Sequence, residues 1–198
     1  MSDHINEVSI YEPTQRDSAI RQGELITDLI QLVLDTETFH VEEPAFQPIS
    51  HPYALVVSQD CDLDWDYRAR NGTPSANKLL PSILLCEVSI AEGLRGTAEI
   101  TSNIWNNIRN NKNERYQFLQ RVTTEEDAFS EGLPELSVDF KRYFTMPTAE
   151  LYFRTRQGAE ARRRCRLRSP YVEHFSSRFY YFQSRIALPS EHFSEPVG

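Results

Sequence analysis

The residues best suited by type to do chemistry lie in VVSQDCDLDWDY, residues 56–67: a thiol, Cys61, between Asp60 and Asp62, with Asp64 and Asp66 following. Continued to Tyr67 in a period of two, the strand of residues 53–58 would crowd these four carboxylates on one face. Such crowding calls for raised pKa values or a bound cation. As a nucleophile Cys61 is badly served, because a reactive cysteine needs a cation or a helix N-terminus beside it, not two carboxylates. His51 could act as its base only if the fold brought it back ten residues. A calcium loop of the D-x-D-x-D type fails, since its sixth position needs glycine and here holds Trp65 or Tyr67. Zinc held by Cys61, Cys86, Cys165 and a histidine has the number of ligands but no C-x-x-C pair. A two-metal nuclease would draw on Asp60, Asp62 and Glu87, acidic residues that follow strands. The bland alternative makes Cys61 a small buried residue at a strand end and Asp62 the cap of a turn or helix. It is preferred, with no catalytic residue, metal or cofactor assigned and Asp60, Cys61, Asp62 and Glu87 kept as a candidate acidic cluster.

A second group of residues is basic. Between Arg154 and Arg168 there are seven arginines and one glutamate in a chain whose net charge is -8. A strand over ARRRCRLR, residues 161–168, would put Arg162, Arg164, Arg166 and Arg168 on one face, with Arg163, Cys165 and Leu167 on the other. Four guanidinium groups in a row make a candidate stripe for phosphate or another anion. Aromatic residues in the segment that follows could stack on bases. The same arginines could instead pair with acidic residues across a sheet and discourage edge-to-edge association.

Positioning these groups falls to a set of strands and two helices. QGELITDLIQLVLD predicts a strand over 24–34, and ETFHVEEPAFQPISHP, with Pro44, Pro48 and Pro52, predicts a loop up to YALVVS. NGTPSAN is a turn cluster, and LLPSILLCEVSI predicts a buried strand over 79–90. Ile100, Ile104 and Ile108 recur every four residues, which predicts a helix over 98–111. Strands follow over 115–122 and 136–147, separated by TTEEDAFSEG, an exposed acidic loop. In the second of them Val138 and Phe140 share one face, and Asp139, Lys141 and Tyr143 the other. After Ser169 and Pro170, Tyr171, Phe175, Phe179, Phe182 and Ile186 step by four, four, three and four, the stripe of an amphipathic C-terminal helix. Strands and helices do not alternate, so the class is α+β rather than a doubly wound sheet.

In 198 residues the chain carries 39% hydrophobic and 25% charged residues, the proportions of a globular domain. The expected division is a flexible N-terminal segment 1–18, a single α+β domain 19–189 and a tail 190–198. Net charge of -8 disfavours whole-surface binding to nucleic acid or to anionic membranes. No apolar run nears the roughly 20 residues of a membrane span. The opening MSDHINEVSIYEPTQRD has neither a basic start nor an apolar segment, which speaks against a secretory signal. With three widely spaced cysteines, reduced thiols and a cytoplasmic location are expected.

The strand end SQDCDL resembles a group of bacterial proteins in which a strand closes on S/T-Q-x-C-D-I/L. PELSVDFKRYFTMP fits the same group. So does SPYVEHFSSRFYYFQSRIALP, whose R-x-A-L-P close is similar to the group's R-x-G-L-P. The resemblance carries no catalytic residues with it. QGELITDL and HPYALVVS are similar, more distantly, to the first strands of the small PemK/MazF-type β-barrel, some of whose members are dimeric ribonucleases. The chain is longer than those proteins, and the arginine and the serine or threonine of their site have no counterpart here. Together these similarities imply a small, strongly bent antiparallel sheet or SH3-like barrel with a mid-chain helix and a C-terminal amphipathic helix. The function expected is a non-catalytic binding or scaffold component of a bacterial antiviral defence or toxin-like multi-protein system. Its partner would be another protein or a second copy, with nucleic acid reached through residues 162–168 and no membrane. The alternative is a ribonuclease of the PemK/MazF type or a metal-dependent nuclease.

Overall fold

A computed structural model describes residues 9–38, 40–73, 75–156 and 159–185. Seven strands form one antiparallel sheet. They are β1 (Tyr11–Pro13), β2 (Glu24–Leu34), β3 (Phe46–Val56), β4 (Ser82–Ile90), β5 (Tyr116–Leu119), β6 (Leu136–Pro147) and β7 (Arg162–Leu167). Their order across the sheet is β1-β7-β2-β3-β4-β6-β5. Among the described residues five α-helices accompany them: α1 (Asp60–Asn71), α2 (Ala91–Arg95), α3 (Ser102–Arg109), α4 (Thr148–Arg154) and α5 (Tyr171–Gln183). The class is α+β, as the order of elements predicts.

Both faces of the sheet are covered, which is why so many strand positions are apolar. On one face α5 lays Val172, Phe175, Phe179 and Phe182 against Leu25, Leu55, Val138, Phe140 and Leu167. Phe140 sits about 6 Å, ring to ring, from Phe175, Phe179 and Phe182. The other face takes Leu63 of α1 and Leu151 of α4 against Ile26, Ala54, Val56, Ile83 and Met146. Entry into β2 depends on Gly23. Its φ is +77°, and a Cβ there would stand 3.0 Å from Val172 Cγ2 and 3.2 Å from Leu167 Cβ.

The sheet is open, not the closed SH3-like barrel that the PemK/MazF similarity implies. QGELITDL and HPYALVVS do pair, Leu25 opposite Leu55, but among the described residues no strand joins β1 to β5. The edges are instead bridged by the chain after β5. Tyr11 Oη donates to the Gln120 carbonyl at 2.8 Å, and the Ala128 N–H donates to the Arg164 carbonyl at 2.8 Å.

Four expectations need correction. Residues 11–13, assigned to a flexible segment, are a strand on β7, and Tyr11 is fully buried. The loop expected up to Pro52 is strand from Phe46. Prolines are tolerated there because β4 pairs with β3 only from Tyr53 onward, leaving that stretch a free edge. The acidic loop is not wholly exposed, since Glu126 and Asp127 are buried. Tyr143 does not share a face with Asp139. A bulge between Cys86 and Val88 sets Tyr143 opposite Cys86 and turns it onto Phe179, at 6.1 Å. Ile186 and the tail 190–198 lie outside the described residues.

Candidate functional site

Strand β3 ends at Val56 and α1 begins at Asp60, so the period changes from 2 to 3.6 just before the aspartates. That change separates the four carboxylates. Leu63, Asp66 and Ala69 turn toward the sheet. Asp66 is fully buried, accepting from Arg70 Nε and from the Leu80 N–H, both at 2.7 Å. Asp64 pairs with Arg68 at 3.0 Å. Asp62 lies exposed in the first turn of α1, where the helix dipole favours a carboxylate. Cys61 is exposed as well, contrary to the buried position expected of it. Its Sγ meets Gln59 Oε1 at 3.7 Å and Asp62 Oδ1 at 3.8 Å.

Asp60 is drawn into a clamp. Arg21 Nε at 3.1 Å and the Gln22 N–H at 2.7 Å donate to Oδ1, and Arg21 Nη2 at 2.9 Å and Arg166 Nη2 donate to Oδ2. Burial works to raise the Asp60 carboxyl, but these hydrogen bonds and the two arginine charges outweigh it and hold the group below the ordinary carboxylate value. A carboxylate so held is a poor general base. Glu87 is engaged elsewhere, with Arg142 Nε at 2.5 Å and His51 Nδ1 at 3.4 Å. The candidate cluster Asp60, Cys61, Asp62 and Glu87 is thus divided, and among the described residues no group of three His, Cys, Asp or Glu side chains could hold a metal ion.

The arginine strand exists as expected, but not its two faces. Leu25 pairs with Cys165, yet Ile26 pairs with Arg163, so Arg164 is an extra residue in β7. The bulge turns Arg163 away from Cys165 and buries it against Glu24, with both side chains 2% exposed. Arg163 donates twice to Glu24, each at 2.7 Å, and also to the carbonyls of Arg16, Ser18 and Ala19. Arg164 is buried with Asp127, at 2.9 Å and 2.6 Å. Asp127 also accepts the N–H groups of Phe129, Glu131 and Gly132. Burial works to raise its carboxyl, yet Arg164 and these amides bring it below the ordinary value. Arg162 pairs with Glu131 at 2.9 Å and Arg166 with Asp60 and Glu12. Arg168 reaches only to 4.0 Å from Glu12. Of the candidate anion-binding residues, Arg162, Arg164 and Arg166 are consequently occupied within the fold, and Arg168 stands most open.

A cleft that sequence reasoning missed opens where β3 and β4 part after the pair Tyr53–Val88. Its volume is about 480 Å³, and its walls include Ile49, Pro52, Tyr53, Ile90 and Leu94 together with the mutually paired His51, Glu87 and Arg142. His51 is 3% exposed, and its ring lies 3.8 Å from that of Phe144 at an angle of 6°. Gln31 Nε2 donates to the Thr145 carbonyl at 3.1 Å, which turns Gln31 Oε1 toward His51 Nε2 at 3.2 Å. That contact is a hydrogen bond when Nε2 carries the ring proton. Nδ1 is buried and faces the Glu87 carboxylate at 3.4 Å. Burial holds the His51 imidazole below its ordinary value against the opposing pull of Glu87. Pro48 and Pro52, read as loop markers, are what hid this cleft. Their spacing of four sets both on the same edge of a strand. Comparison with known proteins finds no matching family model, no matching curated protein and no matching solved structure.

Proposed function

We propose that the protein is a non-catalytic binding component that holds another protein in a multi-protein assembly. The observation that carries this reading is the distribution of surface chemistry. The charged groups that could act on a substrate or grip phosphate are largely neutralised within the fold. The outer half of the β2–β3 hairpin, by contrast, leaves Leu32, Val33, Phe46 and Ile49 exposed. Apolar side chains gathered on one projecting element mark a protein-binding surface. The resemblance to bacterial proteins with the S/T-Q-x-C-D-I/L strand end points to a defence or toxin-like system as the setting. A photo-crosslinking amino acid placed at Phe46, and another at Arg168, tests the reading in the native cells. Protein adducts from position 46 and no nucleic-acid adducts from either position are expected. Nucleic-acid adducts from position 168 would overturn it, as would oligonucleotide binding in vitro that weakens steeply with salt.

A further inference from the structure

We infer that the partner protein docks a basic amphipathic helix across one face of the outer β2–β3 hairpin. This rests on the protein-binding reading and names the occupant of that surface. Residues directly opposite in an antiparallel pair share a face, and every second pair returns to it. Ile30–Ser50, Leu32–Pro48 and Leu34–Phe46 are such pairs. One face of the hairpin therefore carries Ile30, Leu32, Leu34, Phe46 and Pro48, with Ser50 as its polar residue. Leu32 is 52% and Phe46 59% exposed, and residues 41–50 are exposed throughout. The opposite face is engaged within the fold. There Gln31 Nε2 donates to the Thr145 carbonyl, and the buried His51 stacks on Phe144.

A two-stranded ribbon with one apolar face calls for a further layer over that face. Five residues of strand run about 16 Å, the length of about three helical turns, and a helix about 10 Å across spans both strands. A strand added at an edge would leave the five apolar side chains uncovered, and Pro48 and Pro52 guard the β3 edge against it. Charge selects the kind of helix. The sequence has no lysine or arginine between Arg21 and Arg68, while Asp35, Glu37, Glu42 and Glu43 lie in the connection from β2 to β3. Asp35 accepts from neutral groups, the Glu37 N–H and Gln47 Nε2, both at 3.0 Å. Among the described residues no lysine or arginine pairs with any of the four. At the base of the face the charges balance, with Asp28 and Glu160 beside Arg154 and Arg156 around the cavity that Ile30 lines. The excess of carboxylates is thus at the tip, and lysines or arginines flanking the helix's apolar stripe complement it. A second copy is disfavoured, because it would bring together two such tips on chains of net charge -8.

Fluorescence anisotropy of the full chain with two labelled synthetic peptides tests the inference. Each is about 18 residues long with leucines at i, i+3, i+4 and i+7, and the remaining positions are lysine in one and glutamate in the other. The lysine peptide should bind in the micromolar range, about tenfold or more tighter than the glutamate peptide. Phe46→Ser should weaken its binding about tenfold. Tyr181→Ser, at a residue exposed on α5, should leave it unchanged. Both substitutions fall at exposed positions, so the fold is kept. A lysine peptide that does not bind overturns the inference. So does a glutamate peptide that binds as well, or a Phe46→Ser chain that binds no worse than Tyr181→Ser. In the crosslinking experiment, adducts of position 46 that map to a second copy or to an acidic or extended segment of a partner would sink the basic helix alone. The wider protein-binding reading would then stand.

Discussion

At the scale of single residues, burial and pairing decide which groups can react. Cys61 is exposed on α1, while Cys86 and Cys165 are buried and burial pushes both thiols upward. Titration of the native protein with a disulfide reagent should therefore find one reactive thiol, and denaturation should release the other two. A native chain that is silent until it unfolds would show that the first turn of α1 is covered. Arg163 gives a sharper test. Its removal leaves Glu24, whose carboxyl burial already pushes up, without its partner and takes the donor from three carbonyls. Arg163→Ala should cost about 3–5 kcal/mol in a denaturant melt. Arg163→Lys should rescue little, since one ammonium cannot replace the planar fork. His51 sets a pH dependence of its own. Its imidazole is held below the ordinary value, so the unfolded chain takes up the proton first as pH falls. Its contribution to stability is full above the ordinary histidine value of about 6.5 and declines as pH falls below it. The loss from Asp60 and Asp127, whose carboxyls are depressed, comes at lower pH still, as they are protonated in the fold. An NMR titration of the His51 ring should give a midpoint below 6.5. A midpoint above it would mean that Glu87 outweighs burial.

At the scale of elements, α5 is the clearest case of spacing that dictates packing. Phe179 is 2% exposed among the aromatic rings on one face of the sheet. Phe179→Ala should cost about 3–5 kcal/mol in an equilibrium melt, and a loss under about 1 kcal/mol would contradict the packing described. That helix is legible in the sequence because its aromatic residues keep one period, and β2 and β6 because their residue types favour strand, although Asp28 and the irregularity before Tyr143 break the alternation of each. Elements were lost where a local signal competed with a tertiary one. Proline marked residues 44–52 as loop, although a strand whose outer edge has no neighbour accepts it. The aspartates after Val56 matched a strand in parity, and only the helix that begins at Asp60 shows them as the charged first turns of α1. The bulge at Arg164 is invisible to a period of two, so Arg163 was assigned to the wrong face. The His51 cleft depends on where β3 and β4 part, and that contact is set by residues far apart in the chain.

At the scale of the whole molecule, the sheet uses its excess of acid to anchor its arginines. β7 runs between β1 and β2, and Glu12, Glu24, Asp60, Asp127 and Glu131 converge on it from β1, β2, α1 and the loop after β5. A basic strand in an acidic protein is then an internal fastening, and in the function proposed above the exposed apolar hairpin is the surface to be shared. Paired substitutions read by stability and by nucleic-acid binding test this directly. Arg164 is nearly buried against a fully buried Asp127, and Arg168 is about half exposed. Arg164→Ala should lose about 3–5 kcal/mol of unfolding free energy, because it strands a buried carboxylate. Arg168→Ala should stay within about 1 kcal/mol of wild type. Neither the wild type nor either variant should bind short RNA or DNA at physiological salt. The account is contradicted if Arg164→Ala is as stable as wild type while the wild type binds oligonucleotides with a steep salt dependence that the substitution reduces.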